Sequence, residues 1–205
     1  NKMTNYPATL TIDYPEEANR LTVFFRLFLS IPILIILGSL SYHGYGNENV
    51  PDESFWLGIL VVPTLLMIVF RKKYPQWWFD WNVQLTKFSL RVASYILLLR
   101  HEYPSTDEEQ SVHVKIEYPD VEKELNCWMP LIKWFLVLPH IIILCPIMIG
   151  VLLSTIIAWI IILFSGKYPR SMFDFVVGAM RWILRVQAYA LLLTTDQYPP
   201  FSFRE

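Results

Sequence analysis

Two short stretches alternate apolar and polar side chains, Ala8 to Tyr14 (ATLTIDY) and Val112 to Tyr118 (VHVKIEY), and a proline follows each. A period of two marks a strand with one covered face. Leu10 and Ile12 share that face in the first stretch, and Val112, Val114 and Ile116 in the second. Two strands alone are marginal in water, so these are expected to lie on helices, with Phe201–Phe203 a candidate third strand. Beyond each strand a short acidic connection, Glu16–Asn19 or Asp120–Glu124, leads into a run that is apolar on every face. Leu21–Tyr42 holds one full charge, Arg26, and Cys127–Ile149 holds one, Lys133; Pro32 and Pro139 follow them at the same spacing. Phe55–Phe70 and Gly150–Phe164 hold no charge at all. A helix that is apolar all round belongs in a core or in lipid.

Length separates these cases. As a helix, Phe55–Phe70 spans about 24 Å, against a hydrocarbon thickness of roughly 30 Å. Lys133 to Lys167 brackets a run too long for one crossing and slightly short for two. The expectation is a hairpin turning near Pro146–Gly150, with membrane helices over 21–42, 55–70, 128–148 and 150–165. The alternative is a pair of hairpins that enter one leaflet and return. The polar linker Ser41–Ser54 favours full crossing.

A third pattern occurs twice. Lys73 to Leu99 reads KYPQWWFDWNVQLTKFSLRVASYILLL, and Lys167 to Leu193 reads KYPRSMFDFVVGAMRWILRVQAYALLL. Lys-Tyr-Pro, Phe-Asp, two basic residues, a tyrosine and three leucines fall in register without a gap, so the chain reads as a tandem duplication. The first repeat covers 1–104 (strand 8–14, helix 76–100) and the second 105–205 (strand 112–118, helix 170–194). In the first, Asp80, Gln84, Lys87, Arg91 and Ser94 line one thin stripe; in the second, Asp174, Gly178, Arg181, Arg185 and Ala188 do so. A thin polar stripe on a broad apolar helix suits the membrane interface, as do the clustered tryptophans. Asp80 and Asp174 stand about 10 Å along the axis from the next basic residue of their own stripe, Lys87 or Arg181. Pairing across the repeats is expected instead, Asp80 with Arg181 or Arg185 and Asp174 with Lys87 or Arg91.

The fold class expected is therefore an all-α membrane protein with minor β: two tandem repeats, each a strand, a two-helix transmembrane hairpin and a long interfacial amphipathic helix, four spans in total. Composition agrees. Of 205 residues, 54% are hydrophobic and 17% charged, where soluble domains carry about 25% charged. A net charge of −1 gives no general attraction for nucleic acid. Asn1 to Pro15 is polar and strand-like, unlike a secretory signal. Basic residues of both repeats fall on one side while Ser41–Ser54 has none, which places both termini in the cytoplasm and runs the halves parallel. Cys127 and Cys145 sit roughly 27 Å apart on one helix and cannot bond to each other.

The run YPRSMFDFVVGAMRWILRVQAYALLL, closing on Asp196 and Tyr198-Pro-Pro-Phe201, resembles a bacterial membrane family known only as a domain of unknown function. Tyr6 to Pro32 is similar to its N-terminal signature. Asn82 and Gln84 depart from the pattern where the second copy has Val176 and Gly178. The resemblance implies a multi-pass protein of a bacterial inner membrane and implies no activity.

Candidate sites are few. His140 is an ionisable group inside an apolar helix, either satisfied by carbonyls freed by Pro139 or handling a proton or ligand. Arg26 and Lys133 either snorkel to lipid phosphate or face a cleft between the repeats as an anion site. Arg71, Lys72, Lys73 and Lys167 are headgroup candidates beside them. His43, His101 and His113 lack metal spacing, and no nucleophile elbow, phosphate loop or dinucleotide fingerprint occurs. No catalytic residue, metal or cofactor is expected. The function expected is a non-catalytic accessory or scaffold subunit of a membrane complex, in contact with lipids and with a membrane-protein partner or a second copy. The alternative is a lipid- or small-molecule-binding protein or transporter using the cleft between the repeats.

Overall fold

The structure, a computed structural model, describes residues 6–15, 20–41, 53–105, 110–121, 125–126, 128 and 129–204, with side chains left out of the description at 27, 36–41 and 53–61. The linker over 42–52, most of both acidic connections and Cys127 lie outside it. β1 (Ala8–Ile12) and β2 (Val112–Ile116) pair antiparallel within the chain, Leu10 opposite Val114. Their alternation does what it predicts: Ala8, Leu10, Ile12 and Val112 are buried, and Val114 and Ile116 pack against the same core. Phe201–Phe203 forms no strand.

The described residues form five helices: α1 (Arg20–Ser41), α2 (Glu53–Arg71) and α3 (Gln76–Ile96) between the strands, then α4 (Met129–Ser165) and α5 (Arg170–Ala190). The fold is mostly helical with a small two-stranded sheet. Pro75 and Pro169 take extended backbone angles immediately before α3 and α5, where a fixed φ and a missing N–H do no harm. Both helices stop before the leucine triplet, four residues earlier than the pattern suggested. The chain turns there through left-handed residues, Leu98 (φ 64°) and Leu193 (φ 55°).

Two expectations fail. The turn at Pro146–Gly150 does not form, because α4 runs unbroken for 37 residues, or about 55 Å. Gly150 is used for close packing instead: a Cβ there would lie 3.4 Å from the Phe175 ring. Seated along α5, α4 buries Val137, Leu144, Val151, Ala158 and Ile162, which outweighs the lost hydrogen bonds at Pro139 and Pro146. Nor does α5 lie with its apolar face open to lipid. It is the most buried helix, enclosed by α4, β1 and the C-terminal tail, with Leu184, Ala188 and Tyr189 fully covered. The helix left outermost is α4, with Phe135, Ile142 and Phe164 74%, 72% and 82% exposed.

β1 packs on α5, and the Tyr14 hydroxyl donates to the Tyr168 carbonyl. β2 packs on α3, and the Tyr118 hydroxyl donates to the Tyr74 carbonyl.

Candidate functional site

The two lone cations of the apolar helices do not snorkel. Arg26 is 2% exposed and Lys133 fully buried. Each sits over a tyrosine, Arg26 at 4.6 Å from the ring centre of Tyr95 on α3 and Lys133 at 5.0 Å from that of Tyr189 on α5. Such contacts help a desolvated cation by about 2 kcal/mol. Burial raises the Tyr189 hydroxyl's pKa, keeping it neutral beside the amine.

Their other partners differ. Lys133 Nζ meets Asp196 Oδ1 at 2.8 Å and donates to the Thr195 carbonyl at 2.8 Å, so its charge is neutralised. Arg26 donates to the Tyr95 carbonyl at 3.2 Å and to His101 Nδ1 at 2.6 Å, both neutral acceptors. Burial, then the nearby Arg26 and Arg100, lower the His101 pKa to about 4, so the ring accepts from Arg26 through an unprotonated nitrogen. The residue after it, Glu102, turns away. Burial alone would raise its pKa, but Ser111 and Arg100 hold it below the usual value, Arg100 at 2.6 Å. Arg26 Nε has no hydrogen-bond partner, and among the described residues no carboxylate pairs with this guanidinium. It lines a cavity of about 350 Å³ between α1 and α4, walled by Ser30, Leu97, Leu152, Ile156 and Trp159.

His140 is fully buried in an aromatic box. The Trp182 indole donates to its Nδ1 at 3.0 Å, and Phe201 stacks on its ring at 4.0 Å. A neighbouring indole, not a carbonyl freed by Pro139, thus meets Nδ1, while Nε2 is buried with no hydrogen-bond partner among the described residues. The C-terminal aromatics that read as a strand serve as the lid of this box.

Among the described residues the ion pairs expected between Asp80 or Asp174 and the opposite stripe do not form. Asp174 pairs with Arg170 one turn earlier on its own helix, at 3.6 Å and largely exposed, and Asp80 is exposed without an ion pair among the described residues. Arg181 donates to the Leu10 carbonyl at 2.8 Å, Arg91 to Ser105 at 2.8 Å, and Arg185 to Ser202 at 3.0 Å and to Arg204. Lys87 is half-buried. The physical reason is proximity: carbonyls of β1, of the loop at Ser105 and of the C-terminal tail lie over the basic ends of the stripes, while both carboxylates face out. Arg71, Lys72, Lys73 and Lys167 are exposed, and Lys72 and Lys73 line an open cleft of about 580 Å³ with Tyr74, Tyr118 and Asp120.

His101, Asp196, Tyr95 and Tyr189 complete these sites, a role the sequence reading does not give them. The signal was present, since His101-Glu102 and Thr195-Asp196 stand in register just beyond the leucines. Among the described residues no three metal-ligating side chains converge.

The chain is thus a mostly helical protein in which one helix among the described residues, α4, is long and apolar enough to cross a membrane. Residues 129–202, from the first turn of α4 into the aromatic tail, match the model of a domain of unknown function, DUF4389. Comparison with curated proteins and with solved structures finds no match.

Proposed function

We propose that this chain is a non-catalytic integral membrane protein of a bacterial inner membrane, an accessory or scaffold subunit that presents apolar helices to lipid and to a membrane-protein partner or a second copy. One observation carries it: the outer face of α4 is large and apolar along its whole length, and α1 continues it with Leu21, Phe24, Phe28 and Ile35. A monomer in water rarely exposes a contiguous apolar patch beyond a few hundred Å². We read α1 and α2 as a membrane hairpin and α4 as one long tilted helix, since about 55 Å exceeds the roughly 30 Å of hydrocarbon. This replaces the four spans expected from the sequence.

The tandem-repeat reading is supported by reciprocity. Each Tyr-Pro that follows a strand reaches the Tyr-Pro that opens the other copy's helix, and each apolar helix sets its cation over its own copy's tyrosine. Two modules locked by exchanged strands make a rigid base suited to holding other chains. A second reading, lipid binding between the halves, is favoured by the Arg26 cavity.

Purification in mild detergent, with mass spectrometry of both protein and lipid fractions, separates the two. One stoichiometric membrane-protein partner is the expected result. A chain that stays in the soluble fraction when expressed without detergent defeats the membrane assignment.

A further inference from the structure

We propose that the cavity between α1 and α4 binds an anionic amphiphile, with a carboxylate or phosphate head on Arg26 and an acyl chain lying against Leu152, Ile156 and Trp159. The inference deepens the lipid-binding reading above and rests on membrane residence only for the source of the ligand. Its basis is an asymmetry between two otherwise matching sites. In the second half the buried cation has its own carboxylate, Asp196 at 2.8 Å. In the first half the matching acid, Glu102, is held by Arg100 and Ser111, and His101 stands opposite the cation.

A guanidinium does not lose its proton in proteins, so Arg26 keeps a full charge while buried, with neutral acceptors only among the described residues. A buried charge left without a counter-charge costs several kcal/mol. The Nε–H is unspent and the side chain lines a cavity, so an oxygen anion entering there would supply both a hydrogen-bond acceptor and the missing charge. The remaining wall selects the rest of the ligand. It is almost wholly apolar, and its rim residues Leu152 and Ile156 are 59% and 49% exposed on the face assigned to lipid. A cavity near 350 Å³ lies at the small end of ligand pockets, enough for a head and part of one chain but not for a whole diacyl lipid.

The test uses the full chain in maltoside detergent, with dilauroyl phosphatidylglycerol, dilauroyl phosphatidylcholine, laurate or inorganic phosphate added, read by native mass spectrometry and thermal shift. One equivalent of phosphatidylglycerol or laurate should bind, with the choline lipid and free phosphate at least tenfold weaker. Whichever of the first two binds more tightly identifies the source as membrane lipid or free fatty acid. Arg26→Gln should lower binding at least tenfold. Because that variant also loses contacts to Tyr95 and His101, Ile156→Trp provides a second test by filling the exposed rim while leaving Arg26 in place, and it should lower binding equally. Unchanged binding in Ile156→Trp, equal binding of the choline lipid, or equal stabilisation by phosphate alone overturns the proposal. A chain that stays in the membrane fraction yet shows any of these loses the site and keeps the membrane assignment.

Discussion

Replacing Asp196 by asparagine removes one charge from the buried Lys133 pair and little else. Asparagine retains an oxygen to accept from the Asn126 N–H, which now meets Asp196 Oδ2 at 2.7 Å. Lys133 keeps the Thr195 carbonyl and the Tyr189 ring but has no other counter-charge among the described residues. Breaking a fully buried pair costs about 3–5 kcal/mol. The Asp196 side chain is 19% exposed, which screens part of that, so the expected loss is about 2–3 kcal/mol. A Lys133→Met/Asp196→Asn double variant removes both charges and should recover more than half of the loss. Reversible unfolding in mixed micelles, followed by tryptophan fluorescence, measures both. A loss under about 0.5 kcal/mol, in the range of exposed pairs, or a double variant less stable than the single, would refute the reasoning.

Four further outcomes follow from the same geometry. Gly178→Ala places a Cβ 2.7 Å from Phe203 Cβ, so the tail must lift from α5 at a cost of about 1–3 kcal/mol, with faster proteolysis after Tyr198 as the readout. Lys72→Gly should stabilise by about 0.5–1 kcal/mol in the same unfolding assay, since lysine there holds φ 49°. Tyr14→Phe and Tyr118→Phe should each cost about 1 kcal/mol and by similar amounts, being reciprocal bonds of one design. His101 is neutral in the fold down to about pH 4, whereas an unfolded histidine takes its proton near pH 6.5. Its contribution is therefore intact above about pH 6.5 and falls away as the pH drops towards 4. His101→Gln should flatten the pH dependence of stability in that window by up to one proton.

Much of this arrangement was legible in the residues, for physical reasons. Strand alternation located β1 and β2, because a half-covered sheet imposes period two whatever else surrounds it. The two similar stretches placed α3 and α5, because Lys-Tyr-Pro and the leucine triplet punctuate both alike. The failures share a cause. Gly150 and Pro146 read as a turn, since local propensity favours one, yet a small residue is also what lets α4 approach Phe175. The arginines of the stripe invited carboxylate partners, since charge pairing is what a sequence shows; backbone carbonyls from a strand, a loop and the tail are equally good acceptors and leave no trace in side-chain pattern. His101 and Asp196 drew no role as partners of the buried cations because they lie beyond the helices, where the register of the two similar stretches is the clue.

The central claim is that the outer face of α4 meets lipid. Single nitroxides at Ile142, Ile149, Leu153 and Ile157, with a control at the exposed Asp174, in a chain freed of Cys127 and Cys145 and reconstituted into bilayers, test it directly. The account predicts strong collision with dissolved oxygen and weak collision with a water-soluble nickel chelate at all four helix positions, reversed at Asp174. Chelate access at those four positions equal to that at Asp174 would contradict it.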